Sequence, residues 1–251
     1  MARPASQGRT PIARLQHLGR LGRCLLATSG VALIPLPVAA GAWVPERDRG
    51  VLIANAVQVS VDDRDPGLSV EFYGEYGLGH GWAAVLAPSA SRGVRAAGID
   101  WASDEVLVGL RKQIWSGPDR AISVQIGAFS TPSTRLANRR DQGTEVRLSF
   151  GRNVTRKTWI DGEIATRTCD GGRQGTRFDA AAGIKLAADR QVILKAFGDG
   201  DGCSKEILRA QISYLRPISK RLSLELGWRQ TLSSPDNRAE RGFVVGVWHA
   251  F

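Results

Sequence analysis

The stretch Arg241-Gly-Phe-Val-Val-Gly-Val-Trp-His-Ala-Phe251 alternates as a β-strand does and ends on an aromatic side chain. Successive side chains of a strand point to opposite faces. Phe243, Val245, Val247, His249 and Phe251 therefore share one face, and Val244, Gly246, Trp248 and Ala250 share the other. In a soluble domain, an apolar strand of this kind at the chain end invites fraying and edge-to-edge aggregation. A strand that closes a membrane barrel is hydrogen-bonded on both sides, and its outward face must be apolar. These residues predict an all-β fold, a transmembrane β-barrel with this strand at its seam.

Upstream of this strand the same pattern recurs. Beyond residue 42 no stretch is apolar for the roughly 20 residues that a membrane helix needs. Instead, runs of about ten alternating residues are punctuated by Gly, Pro, Asp and Ser, as strands separated by turns are. Such runs predict twelve strands, near 50–61, 68–76, 80–88, 104–114, 120–130, 144–153, 156–168, 175–187, 190–198, 207–215, 220–231 and 241–251. The weakest patterns are 50–61, nearly apolar on both faces, and 80–88, short and alanine-rich. Ten strands is the alternative should 50–61 or its partner stay unpaired.

Connection lengths set the topology. Short connections fall at 77–79, 115–119, 154–155, 188–189 and 216–219. Longer ones fall at 62–67, 89–103, 131–143, 169–174, 199–206 and 232–240. An antiparallel up-and-down outer-membrane barrel has this rhythm, with tight periplasmic turns and longer external loops. Both ends of the barrel chain then lie on the periplasmic side. Tyr76, Trp82, Trp115, Trp159, Tyr214 and Phe251 fall near the periplasmic strand ends. Trp101, Phe129, Phe178, Phe197 and Phe243 fall toward the external ends. Two aromatic belts at the membrane interfaces are expected.

The facing that turns Val106, Val108, Leu110 and Ile114 outward turns Glu105, Arg111 and Gln113 inward. Extended along the chain, it assigns Glu71, Glu75, Glu105, Arg111, Arg147, Asp161, Glu163, Asp179, Lys185, Lys195, Arg209, Glu225 and Arg229 to the lumen. Placing an Arg or Lys against hydrocarbon at the midplane would cost about 2–4 kcal/mol, so these groups belong inside.

Residues 1–42 read as a secretory signal and 43–251 as the barrel. Five arginines precede the apolar run Leu25–Val38, with no acidic residue before Glu46, and Ala40-Gly41-Ala42 is an Ala-x-Ala processing site. The run is too short to span a bilayer and is interrupted by Pro35 and Pro37. The full chain has a net charge of +10; without the five signal arginines, 29 basic and 24 acidic residues remain, a net of +5. That charge is not gathered into one stripe, so the composition does not point to nucleic acid. Cys24 lies within the signal, and Arg23 before it makes a poor lipoprotein-processing site. Cys169 and Cys203 remain; they fall in neighbouring connections on the external face, and a disulfide between them is expected in an oxidising compartment.

The C-terminal strand resembles the signal by which the barrel assembly machinery of Gram-negative bacteria recognises outer-membrane barrels, with Phe243, Val245, Val247, His249 and Phe251 as its residues. His249 stands where such signals often carry an aromatic. Tyr76-Gly-Leu-Gly-His-Gly-Trp82 resembles the Tyr-Gly-Leu-Thr-Asp-Arg-Trp-type periplasmic turn of a broad proteobacterial group of outer-membrane barrels. Gly79, His80 and Gly81 replace that group's Thr, Asp and Arg. In the group a Gly-Asp-Leu-Glu-Leu-Gly-Leu-Arg-like strand follows; Ser103-Asp-Glu-Val-Leu-Val-Gly-Leu-Arg111 occupies its place here. The resemblance implies residence in the outer membrane and, since some relatives are thought to be uptake channels, a channel function.

Three functions remain open. Mixed charge on the inner wall fits a passive channel for small polar solutes, with a transverse field across the bore. It equally fits a closed structural or interaction barrel locked by ion pairs across the lumen. A lipid-modifying enzyme would need a nucleophile and a histidine near the outer surface, yet His80 falls in a periplasmic turn and His249 faces outward on the last strand. Asp199-Gly-Asp-Gly202 starts like a calcium loop but lacks the later ligands at their spacing, and reads as a turn. Asn153-Val-Thr155 matches a glycosylation signal that has no meaning in a bacterium. Arg92, Arg95, Arg135, Arg139 and Arg140 are expected in external loops, within reach of lipopolysaccharide phosphates or anionic solutes. No cofactor or metal is expected. The expected partners are outer-membrane lipid, lipopolysaccharide and the assembly machinery.

Overall fold

The computed structural model describes residues 41–61, 67–95, 98–131, 141–200, 203, 206–234 and 240–251. Its strands, in chain order, are β1 Gly50–Val61, β2 Gly67–Gly79, β3 Trp82–Arg95, β4 Gly98–Ser116, β5 Arg120–Thr131 and β6 Asp141–Asn153. They continue as β7 Thr158–Cys169, β8 Gln174–Lys185, β9 Gln191–Asp199, β10 Ile207–Pro217, β11 Leu222–Ser233 and β12 Glu240–Ala250. Each pairs antiparallel with its sequence neighbour, and β1 pairs with β12, so the sheet closes into a twelve-stranded up-and-down barrel. The weak segment 50–61 is thus a full strand, in register from Val51↔Ala250 to Val61↔Glu240. Gly50 and Phe251 exchange backbone hydrogen bonds of 3.0 and 3.1 Å at the end of the seam. Closure leaves no lateral edge, and that satisfies the backbone of a sheet standing in hydrocarbon.

Alternation decides which face meets the bilayer. On β12, Phe243 is 62% exposed while Val244 is 1% exposed. Val108, Leu110, Ile126, Val146, Ile164 and Leu194 continue the exposed apolar belt around the outside. A surface of large aliphatic side chains on this scale has no place in water; it is what a bilayer solvates.

The structure departs from the expected pattern in three places. The connection expected at 89–103 is an extended ribbon, with β3 and β4 paired out to Arg95↔Gly98. Arg92 and Arg95 therefore lie on a strand, not in a loop; Arg135, Arg139 and Arg140 lie outside the described residues. Ser89, Ala90 and Ser91 lack an apolar row because hydropathy alternation reports contact with hydrocarbon, whereas backbone pairing does not require it. Second, the tight turn falls at His80 and Gly81, not 77–79, with His80 left-handed at φ 53°. Third, Trp159, Phe129 and Phe197 do not join the aromatic belts. Their parity puts them on the inner face, where the Trp159 indole donates to Gln191 Oε1 at 3.1 Å. Arg167 covers the Phe129 ring at 4.6 Å, and Arg229 covers Phe197 at 4.8 Å. Tyr76, Trp82 and Trp115 remain exposed at the short-turn end, with Phe178 and Phe243 toward the other.

Cys169 and Cys203 form a disulfide with a Cα–Cα separation of 5.8 Å. The barrel unit comprises Ala39–Phe251; the other unit, Met1–Val38, lies outside the described residues, and of the expected signal only Gly41 and Ala42 are described. Those two residues begin a strap, 41–49, across the short-turn mouth. The Asp48 N–H donates to the Gly77 carbonyl at 3.0 Å, and the Gly77 N–H donates to that of Arg49 at 2.8 Å. The Pro45 and Glu46 carbonyls lie where a side chain at 77 would project, so the strap reaches β2 only because that residue is glycine. At its other end the Trp43 ring fills the space over Gly151 on β6.

Candidate pore lining

The lumen is built by strand parity. On β4 to β8 the inward rows carry Glu105 and Arg111, Gln125, Glu145 and Arg147, Asp161, Glu163 and Arg167, then Arg177 and Asp179. These side chains reach past their neighbouring strands. Arg111 on β4 pairs with Glu75 on β2 at 3.5 Å and with Glu163 on β7 at 3.2 Å, while Gln125 accepts from its Nη2 at 2.8 Å. Arg147 binds Glu145 at 2.8 Å, Asp179 at 3.3 Å and also Glu163. Arg167 on β7 holds Glu105 on β4 and Glu145 on β6, each at 2.7 Å. Arg177 on β8 meets the same Glu105 at 3.1 Å.

A second cluster lies on the opposite wall. Lys195 on β9 pairs with Glu225 on β11 at 3.0 Å, and Gln211 donates to the same carboxylate at 2.9 Å. Arg229 on β11 binds Glu71 on β2, with Nη2 at 2.8 Å from Oε2, across β12 and β1. Pairs between strands three positions apart are chords of the barrel, and they brace it internally.

All thirteen lumen candidates read from the sequence stand on inward rows. Ion pairs bring Glu75, Glu105, Arg111, Arg147, Glu163 and Asp179 into the first cluster; in the second, Gln211 bridges the pair Lys195–Glu225 to the pair Arg229–Glu71 by hydrogen bonds. Lys185 lies at the short-turn end of β8, and Arg209 lies opposite Phe197 on the wall of the second cluster. Asp161 accepts from the Ala42 N–H at 3.4 Å. Glu145, Arg167 and Arg177 belong to the network but were not among the candidates. Two-residue counting from Arg147, Glu163 and Asp179 reaches each of them.

Exposure varies around the bore. Arg111 and Glu145 are 1% exposed and Glu225 is 0% exposed. In contrast the Glu71 side chain is 35% exposed, Asp179 34% and Arg177 30%. Water thus reaches charged groups on two facing parts of the wall, Glu71 on β2 and Arg177 and Asp179 on β8, while Arg111, Glu145 and Glu225 are shut away from it. His80 lies in the exposed turn and His249 faces outward, stacked on Phe251 at 5.9 Å, so neither faces the lumen. Asp199 pairs with Arg177 at 3.8 Å; residues 201 and 202 lie outside the described residues.

No protein-family profile matches the chain, and no curated protein sequence does. Solved structures do match. The KdgM porin superposes with a TM-score of 0.56 at 9% identity over 79% of this chain and 99% of its own. The NanC porin gives 0.55 at 12% identity over 79% and 98%. The COG4313 outer membrane channel of Pseudomonas putida F1 gives 0.56 at 8% identity over 85% and 98%. The chain thus shares the fold of these porins and channels across nearly their whole length.

Proposed function

We propose that this protein is an outer-membrane channel for passive diffusion of small polar solutes, with a narrow bore. The observation that carries this reading is the set of partly exposed opposite charges inside an apolar-faced closed barrel, Glu71 on β2 and, six strands away, Arg177 and Asp179 on β8. Cations and carboxylates set against each other across a bore create a transverse field that orients dipolar solutes without binding them tightly. The fold shared with known porins supports the same role. Proteoliposome swelling tests it: uncharged solutes of the size of small amino acids and monosaccharides should enter, and oligosaccharides should not. Absence of swelling with every solute would remove the channel.

A specific observation favours a second reading, a closed structural barrel: the near-complete burial of Arg111, Glu145 and Glu225. The swelling assay separates the two. Under either reading Phe243, Val245, Val247, His249 and Phe251 form the recognition face for the assembly machinery. Supporting this, Phe251 sits on the seam, its ring 6.3 Å from that of Tyr76. Outer-membrane lipid covers the apolar belt, and the external ends of the strands meet lipopolysaccharide.

A further inference from the structure

The strap at the short-turn mouth ends inside the barrel, and its first residues occupy a site built for them. The Gly41 carbonyl accepts from Arg111 Nη1 and from Ser123 Oγ, the latter at 3.1 Å. The Ala42 N–H faces Asp161 Oδ2 at 3.4 Å, and Ala42 is fully buried. A Cβ placed on Gly41 would lie 2.6 Å from Asp161 Oδ1 and 2.8 Å from Glu163 Oε1. No side chain fits there, and two carboxylates converge on that α-carbon. Glu163 is already paired with Arg111 and Arg147. Asp161 is 9% exposed, and among the described residues no cationic side chain comes within 4 Å of it. Arg111 acts on Asp161 only from beyond pairing distance; ionising a buried carboxylate on those terms is expensive, and a cation close beside it is what the site lacks.

We propose that the missing cation is the α-ammonium of Gly41, created when the signal is removed between Ala40 and Gly41. The inference rests on reading the N-terminal segment as a secretory signal, and it moves the expected processing bond by two residues. Val38-Ala39-Ala40 presents an aliphatic residue three positions, and a small residue one position, before the bond, just as Ala40-Gly41-Ala42 does for the bond after Ala42. The structure separates the two. Hydrolysis after Ala42 would remove the Gly41 carbonyl and the Ala42 N–H, leaving Arg111, Ser123 and Asp161 without those partners. Hydrolysis after Ala40 keeps all three contacts. Water adds across the Ala40–Gly41 amide; Ala40 leaves with the new carboxylate, and Gly41 keeps the nitrogen as an amine. With an ordinary pKa of about 8, that amine takes up a proton at neutral pH. The ammonium is bonded to the α-carbon on which Asp161 and Glu163 converge. It anchors the strap inside the lumen, as Gly77 and Trp43 dock it at the mouth.

The experiment is intact-mass measurement of the protein purified from outer membranes, followed by amine labelling. The expected mass is that of 41–251. A mass for 43–251 overturns the inference while leaving the signal reading in place; an unprocessed chain overturns both. On the 41–251 protein, an N-hydroxysuccinimide ester at pH 6.5 should modify Gly41 at least about tenfold more slowly in the folded barrel than in denaturant, because only local opening exposes it. Asp161→Asn should return folded-state labelling toward the denatured rate. Equal labelling of folded and denatured wild-type protein would overturn the buried ion pair, and that comparison stands even if the variant does not fold. Neither readout depends on whether the barrel conducts.

Discussion

Arg111 shows at the residue scale what the lumen demands. Its guanidinium contacts Glu75, Glu163, Gln125 and the Gly41 carbonyl, and its exposure is 1%. Burying such a charge is tolerable only while every partner is present, since the desolvation penalty rivals the Coulombic gain. Replacing Arg111 by Leu leaves Glu75 and Glu163 with less counter-charge in a dry site, and the expected loss is about 3–5 kcal/mol. Urea unfolding followed by heat-modifiable gel migration measures it. At the pair of Arg229 and Glu71 water reaches the carboxylate and partly screens its charge. Arg229→Gln should therefore lower stability by less than Arg111→Leu does while changing ion selectivity, read as a shift in reversal potential under a salt gradient.

At the element scale, the disulfide and the seam make separate predictions. Cys169 and Cys203 are 34 residues apart, and a closed loop of that size stabilises by about 3–4 kcal/mol through the unfolded chain. Reduction should therefore lower the temperature at which the folded band converts on a gel, and Cys169→Ser should lower it equally. Removing Phe251 deletes one ring and one pair of backbone bonds to Gly50, yet it should reduce assembled protein in the membrane far more than it lowers the stability of refolded barrel. The strands themselves were readable in the sequence, because hydrocarbon outside and charge inside enforce alternation on every one. Segment 50–61 was the hard case: with Ile53 and Val57 inside and Leu52 outside, both its faces are apolar, and hydropathy could not orient it. The paired ribbon beyond Ser89 and the inward turn of Trp159 and Phe129 were missed for related reasons. Backbone pairing outside the membrane leaves no hydropathy trace, and an aromatic residue suits an interface, a lipid face or a cation–π site alike. The strap was not readable at all. Gly41 and Ala42 look like signal residues until the acceptors and donors around them are seen in space.

For the whole molecule, the two ion-pair clusters brace the bore from both sides, and each keeps a partly exposed group: Arg177 and Asp179 on β8 in the first, Glu71 on β2 in the second. A path between them is narrow and carries both signs of charge. Its conductance should be small, weakly selective and stable in time, since the strap and the braced walls have few ways to move. Loss of the strap, in a chain lacking 41–47 fused directly to its signal, should widen the mouth and raise conductance. Single-channel recording of the purified, disulfide-bonded barrel in planar bilayers tests the central claim most directly. The account predicts discrete steps well below those of wide general porins, larger when the strap is removed; correctly folded protein that gives no steps with or without the strap would contradict it.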